Sequence, residues 1–172
     1  MKHLTLADYK TMPWANGLGQ TVEILRVDGP GGLLYRLSMA SVVVDGAFSV
    51  FPGIERNLTV ISGPGFDLAG AVSLRCDPLV PVAFAGDLAV RAERVTAPSD
   101  DFNVMTARSQ PRPVVTVERD GAVLLAGGRL CLFALGVAAV NGVAMAKHDL
   151  IVTEGPADIA GLGPVIAVRL TI

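Results

Sequence analysis

Thr21 and Glu23 sit two residues apart in TVEILRV, and Arg36 and Ser38 two apart in YRLSMASVVV. Residues two apart on a strand share a face, so each stretch presents a polar pair on one side. Where those faces open into a common mouth, the planar fork of Arg36 can grip a carboxylate. Glu23 can hold that arginine, or accept from a ligand amine or amide. Asn16 both donates and accepts, so it can read a carbonyl or an amide. Trp14, the only tryptophan, can supply an apolar wall. The alternative makes Arg36 and Glu23 an internal brace that binds nothing, and Asn16-Gly17 a tight turn. Pockets commonly combine apolar walls with a few convergent polar groups, which favours the ligand reading.

Metal chemistry has little to build on. The two histidines are His3, in the N-terminal tail, and His148, between Lys147 and Asp149. No HxH, HExxH or cysteine cluster occurs, so neither a metal nor another cofactor is expected. Cys76 and Cys131 lie far apart among apolar neighbours and read as buried thiols in a reducing cytoplasm. The glycine pairs Gly63/Gly65 and Gly127/Gly128 lack the strand–loop–helix setting of a phosphate cradle and read as hairpin turns. Catalysis has thinner support. No serine lies in a nucleophile elbow, and two acids, Glu23 and Asp87, would have to move the protons of an isomerase or hydrolase.

Three further stretches carry polar groups beside turns. In FPGIER, Pro52-Gly53 is a turn signal, Phe48, Phe51 and Ile54 can pack it down, and Arg56 opens the next strand. Arg56 projects either inward or into solvent. In FAGD, Gly86 turns the chain, and Asp87 either caps nearby amides or orients Arg56. DFNVMT reads as a strand with Phe102, Val104 and Thr106 on one side and Asn103 and Met105 on the other. Asn103 is then a pocket donor or a satisfied core amide.

The elements that must position these groups are short. The chain has 172 residues, 51% of them hydrophobic and only 17% charged, with a net charge of -2. Runs rich in Val, Leu and Thr alternate with evenly spread glycine (19) and proline (11). No long stretch has helical spacing, which predicts an all-β chain with few or no long helices. The arginines are scattered singly, so no basic stripe for nucleic acid forms. The N-terminus lacks the apolar run of a signal peptide, and LCLFALGVAAVNGVAMA is interrupted by Gly136, Asn141 and Gly142. The expectation is a cytoplasmic protein that spans no membrane. A weak echo between ERNLTVISGPG…FAGD and GGRLCLFALG…KHDLIVTEG reads either as two related halves or as the ordinary grammar of antiparallel sheets. The seam is TARSQPRPV, giving halves of 1–108 and 114–172 within one unit, 1–172. Sheet edges need cover, so a homodimer is one expectation.

Several of these words in order resemble the HutD/Ves family of cupin-like proteins: MPWANGLGQTVEI, YRLSMASV, GAFSVFPGIERNLTVISG, FAGD and DFNVMT. The resemblance runs from Leu4 to about Arg108 and continues beyond mainly as a rhythm of strands. It implies a compact double cupin-like (bicupin) β-barrel, and an association with histidine utilisation or a stress response, without an established reaction. Family members usually carry a lysine after the tryptophan and then an asparagine and a run of glycines. Here Ala15 follows Trp14, and Leu18 separates Gly17 from Gly19, so the rim is less cationic. The resemblance also supplies most of the reason to group Trp14, Asn16, Thr21, Glu23, Arg36, Ser38, Ser49, Arg56, Asp87 and Asn103 as one ligand site. The resulting expectation is a metal-free protein that binds or senses a small carboxylate or amide metabolite. The alternatives are an enzyme using Glu23 and Asp87, and a structural or interaction protein with no ligand.

Overall fold

The computed structural model describes residues 1–14 and 19–171. Among them, nineteen strands follow one another with a single 3-10 turn, Leu6–Asp8. The strands are β1 (Lys2–Leu4), β2 (Lys10–Pro13), β3 (Gln20–Gly29), β4 (Gly32–Val42), β5 (Gly46–Ala47), β6 (Ile54–Ser62), β7 (Phe66–Gly70), β8 (Leu74–Cys76), β9 (Val82–Ala85) and β10 (Val90–Glu93). They continue as β11 (Ser99–Ala107), β12 (Val114–Glu118), β13 (Val123–Leu124), β14 (Arg129–Ala134), β15 (Ala138–Val140), β16 (Val143–Met145), β17 (Leu150–Thr153), β18 (Ala157–Ala160) and β19 (Val165–Leu170). The all-β character follows from the runs of β-branched and apolar residues between glycine and proline stops. Among the described residues, no helix is long and apolar enough to cross a membrane.

The chain forms two compact units: Lys10–Ser109, and Met1–Tyr9 together with Gln110–Ile172. The second contains a five-stranded sheet, β1-β17-β14-β19-β12, and a four-stranded sheet, β13-β18-β15-β16. Leu130, Leu132 and Ile151 from the first meet Val140, Met145 and Ile159 from the other in its core. Both histidines are engaged in this unit. His3 Nε2 lies 2.9 Å from Asp149 Oδ2, and the His148 ring stacks on Phe133 at 5.5 Å.

The unit Lys10–Ser109 pairs a six-stranded sheet, β2-β3-β4-β11-β6-β9, with a four-stranded one, β5-β10-β7-β8. Antiparallel register aligns Ser38, Asn103 and Leu58 in one row across β4, β11 and β6. Ala40, Asp101 and Val60 form the next row, and Arg36, Met105 and Arg56 the one on the other side. One face of the sheet is therefore polar over β4 and β11 and turns apolar along β6 and β9. On that apolar half, Leu58, Val60 and Phe84 pack with Phe66, Leu68, Cys76, Val90 and Ala92 of the smaller sheet. Cys76 and Cys131 are both buried and free.

The sheets are open, which corrects the expectation of a double barrel. Closure requires the first and last strands of a sheet to share a ladder. The six-stranded sheet instead ends on β2 and β9, and the four-stranded sheet on β5 and β8. The edge strands are poor ladder partners. β5 has two residues, and β2 ends on Pro13, which has no amide hydrogen to donate. Where the chain passes from β8 to β9, Pro78 and Pro81 remove two more donors, and a single parallel bridge, Val60 to Pro78, stands in place of a ladder.

Leu58 is fully buried at the polar-to-apolar boundary of the sheet. Leu58→Ala is expected to lower stability by about 2–5 kcal/mol through lost burial and the space left behind. Urea unfolding checks this; a loss well under 1 kcal/mol would show that the boundary is not tightly packed.

Candidate functional site

The polar half of the sheet forms the floor of a cavity of about 600 Å³ within the unit Lys10–Ser109. The segment from Val42 to Phe51, between β4 and β6, walls it. Trp14, Thr21, Arg36, Ser38, Ser49, Arg56 and Asn103 all line it. Glu23 and Asp87 are not among the lining residues, and Asn16 lies outside the described residues. Asp101, Phe48 and Phe51 also line the cavity, and the sequence reading did not place them there.

Arg56 is the centre of the arrangement. It is 7% exposed, and its guanidinium carbon lies 5.3 Å from the ring centre of Phe48, 5.4 Å from Phe51 and 5.1 Å from Phe84. Nη2 donates to Asn103 Oδ1 at 2.9 Å, whereas Nε has no hydrogen-bond partner among the described residues. Burial pushes its pKa down to about 10; Asp101 acts in the opposite direction, and Arg36 adds to the lowering. At neutral pH it remains a cation, caged by three rings.

Asn103 relays this charge to Asp101. An arginine can only donate, so the Asn103 oxygen must face it, and the amide nitrogen is left to donate to Asp101 Oδ1. Asp101 is 1% exposed. Burial raises its pKa to about 7, against the pull of Arg56 and of the Asn103 hydrogen bond, with Asp100 adding to the rise. The signal for Asp101 lay in DFNVMT: it alternates with Asn103 and Met105 on one strand face.

Arg36 is held differently. Its Nε donates to Glu23 Oε2 at 2.7 Å, with the two side chains 13% and 16% exposed. Glu23 thus fixes the guanidinium from behind. Trp14 Nε1 donates to Thr21 Oγ1 at 2.9 Å, and Trp14 N to Gly19 O at the same distance. A Cβ on Gly19 would come within 2.8 Å of the indole, so glycine is needed where the ring lies against the chain.

Asp87 is exposed and receives both Nη atoms of Arg108, at 3.1 and 2.5 Å, while Arg108 Nε donates to Glu55 at 2.8 Å. Its link to Arg56 is indirect. The backbone at Gly86 exchanges 2.7 Å hydrogen bonds with Phe51 and Ile54, and a Cβ at Gly86 would lie 2.8 Å from both of those carbonyl oxygens. FAGD and FPGIER therefore interlock as two turns, and this lock sets Phe51 over Arg56. Among the described residues, no group of three or more His, Cys, Asp or Glu side chains gathers to hold a metal ion.

The HutD family model matches residues 6–165. The chain belongs to the HutD family. An uncharacterized 21.2 kDa protein in the hutC 3′ region of Pseudomonas putida is 38% identical to this HutD-family chain over 113 residues, 63% of this chain and 60% of that protein. Protein Ves of Cronobacter sakazakii is 37% identical over 116 residues, 64% of each. The chain thus spans about three fifths of the length of these curated relatives. The structure of HutD from Pseudomonas fluorescens SBW25, in a formate condition, superposes with a TM-score of 0.88 at 30% identity, over 99% of this chain and 97% of that one. The HutD/Ves resemblance is therefore membership, and the cupin-like character is that of the family.

The raised Asp101 carboxyl makes stability depend on pH. A carboxyl in the unfolded chain loses its proton near 3.8, whereas Asp101 in the fold keeps it to about 7. Between those values the folded state binds more protons, so stability falls as pH rises, and the deficit is complete above about pH 7. Asp101→Asn keeps the shape and never ionises. It is expected to raise the melting temperature more at pH 8 than at pH 5, and equal changes at the two pH values would place the Asp101 pKa in the ordinary carboxylate range.

Proposed function

We propose that this HutD-family protein binds a small carboxylate or amide metabolite in the cavity above β4, β11 and β6, without a metal. One observation carries the reading: the buried cation of Arg56 lines a cavity that has room for a ligand. Arg36, pre-set by Glu23, offers a second guanidinium at the same cavity. Trp14, Phe48 and Phe51 supply apolar wall, and Ser38 and Asn103 supply neutral polar contacts.

The family association narrows the candidates. A relative in the hutC 3′ region and the HutD name itself point towards histidine-degradation chemistry, where urocanate and formylated glutamate combine a carboxylate with a nitrogen-bearing group. Binding or sensing in the cytoplasm fits this cavity better than turnover by Glu23 and Asp87. Glu23 is committed to Arg36, and Asp87 to Arg108.

A thermal-shift series with formate, acetate, urocanate and formylated glutamate tests the proposal. A ligand at a hundred times its Kd stabilises by about 2.7 kcal/mol, which corresponds to roughly 5–10 °C for a chain of this size. Arg36→Ala is expected to weaken that ligand about 10- to 100-fold through loss of a charge-assisted contact. No shift with any of the four, or an Arg36→Ala protein that responds like the parent, overturns the assignment.

A further inference from the structure

We propose that Asp101 is a ligand-contacting residue of this cavity and acts there as a hydrogen-bond donor, in its neutral form, to the anionic oxygen of a bound carboxylate. This rests on the carboxylate-binding reading above and adds the direction of one contact. The geometry is directional along the whole chain of groups. Arg56 donates to Asn103 Oδ1, which turns the Asn103 amide nitrogen towards Asp101 Oδ1. Asp101 Oδ1 is thereby an acceptor, so a proton on this carboxyl resides on Oδ2. Asp101 lines the cavity and is almost wholly buried, where the charged form is disfavoured. A neutral carboxyl with its outer oxygen protonated presents one donor to an incoming acceptor. An ionised carboxyl would set a negative charge against the anion.

Binding of an anion should then take up a proton. The groups that face Asp101 or act on it are Arg36 on β4, Arg56 on β6, Asp45 in the wall, Asp100 on its own strand and Cys76 on β8, with Glu23 behind Arg36. Burial pushes the Cys76 thiol up to about 12. Arg56, whose pKa burial lowers to about 10, stays a cation through pH 8.5. Asp101, with its proton held to about 7, changes charge between pH 6 and 8.5.

The test uses the full chain, with acetate as the anionic probe and acetamide as its neutral counterpart, titrated by NMR at pH 6, 7 and 8.5. Acetamide can turn either its oxygen or its nitrogen towards Asp101, so its Kd should change less than threefold. The acetate Kd should rise by about 10- to 30-fold from pH 6 to 8.5, as expected for uptake of one proton. Asp101→Asn places an amide N–H where the protonated oxygen was, so acetate should bind it at the parent's pH 6 strength throughout. If that variant does not fold, the Asp101 carboxyl carbon shift in the labelled parent gives the same answer, moving to its protonated value when acetate is added at pH 7. An acetate Kd that is flat with pH, or a folded Asp101→Asn protein that no longer binds acetate, overturns the donor role while leaving the cavity as a carboxylate site. No response to either probe at any pH overturns both.

Discussion

Arg56 is only 7% exposed, so its cation has lost most of its water, and three rings and an amide stand in its place. Removing an ion from water costs several kcal/mol unless other groups take over. Three phenyl rings within 5.4 Å of the Arg56 carbon each offer a negative π face, worth up to about 2 kcal/mol where desolvated. Asn103 adds one strong acceptor. Each substitute has its own supports. Phe84 reaches Arg56 because the β6–β9 register sets them side by side. Phe51 does so because the turns at Gly53 and Gly86 bond to each other, with Asp87 and Arg108 clamping the outside. The exposed acid is thus a structural partner of the buried arginine at one remove.

The two arginines solve different problems. Arg36 is neutralised from behind by Glu23, so its remaining N–H groups are available without an uncompensated charge. Arg56 is solvated by rings and an amide, which stabilise the cation without cancelling it. The choice between brace and pocket for the Arg36–Glu23 pair is therefore not exclusive. The same 2.7 Å bond that braces the arginine also fixes the direction in which it can receive a ligand.

Much of this was legible as period-two alternation. TVEILRV and YRLSMASVVV predict the strands, and they place Thr21 with Glu23 and Arg36 with Ser38. Asp101 escaped because DFNVMT is most easily read from its apolar side, Phe102 and Val104, and because a buried acid is a costly feature that pattern alone does not suggest. Asp87 reads from its turn as a cap for nearby amides or as a partner of Arg56; which groups it meets is a matter of register and turn geometry, and its carboxylate receives the Gly53 amide and the Arg108 guanidinium. The barrel was inferred from resemblance. Whether a sheet closes depends on pairing between strands far apart in sequence, and here Pro13, Pro78 and Pro81 and the two-residue β5 leave nothing to pair with. The placement of Met1–Tyr9 with Gln110–Ile172 is equally non-local: β1 pairs with β17, well over a hundred residues away.

The open sheet has a further consequence for what the cavity attracts. Among the described residues no ladder closes the sheet beside β2, and the Val42–Phe51 segment walls the cavity over the polar half of the sheet. Among the described residues, the charged groups on the floor are the Arg36 and Arg56 guanidiniums and the Asp101 carboxyl, which burial holds partly neutral, with the Glu23 carboxylate bound to Arg36 outside the lining. Asp45, on the wall, is already an acceptor for the Val95 amide. The charge left over on the floor is positive, in a chain whose net charge is -2. A local field opposite in sign to the whole molecule acts at the site and not through bulk attraction. The carboxylate proposed for this cavity must be small enough to enter, with its anionic end meeting the arginines. The other end must be apolar or amide-like enough to lie against Trp14 and the phenyl rings.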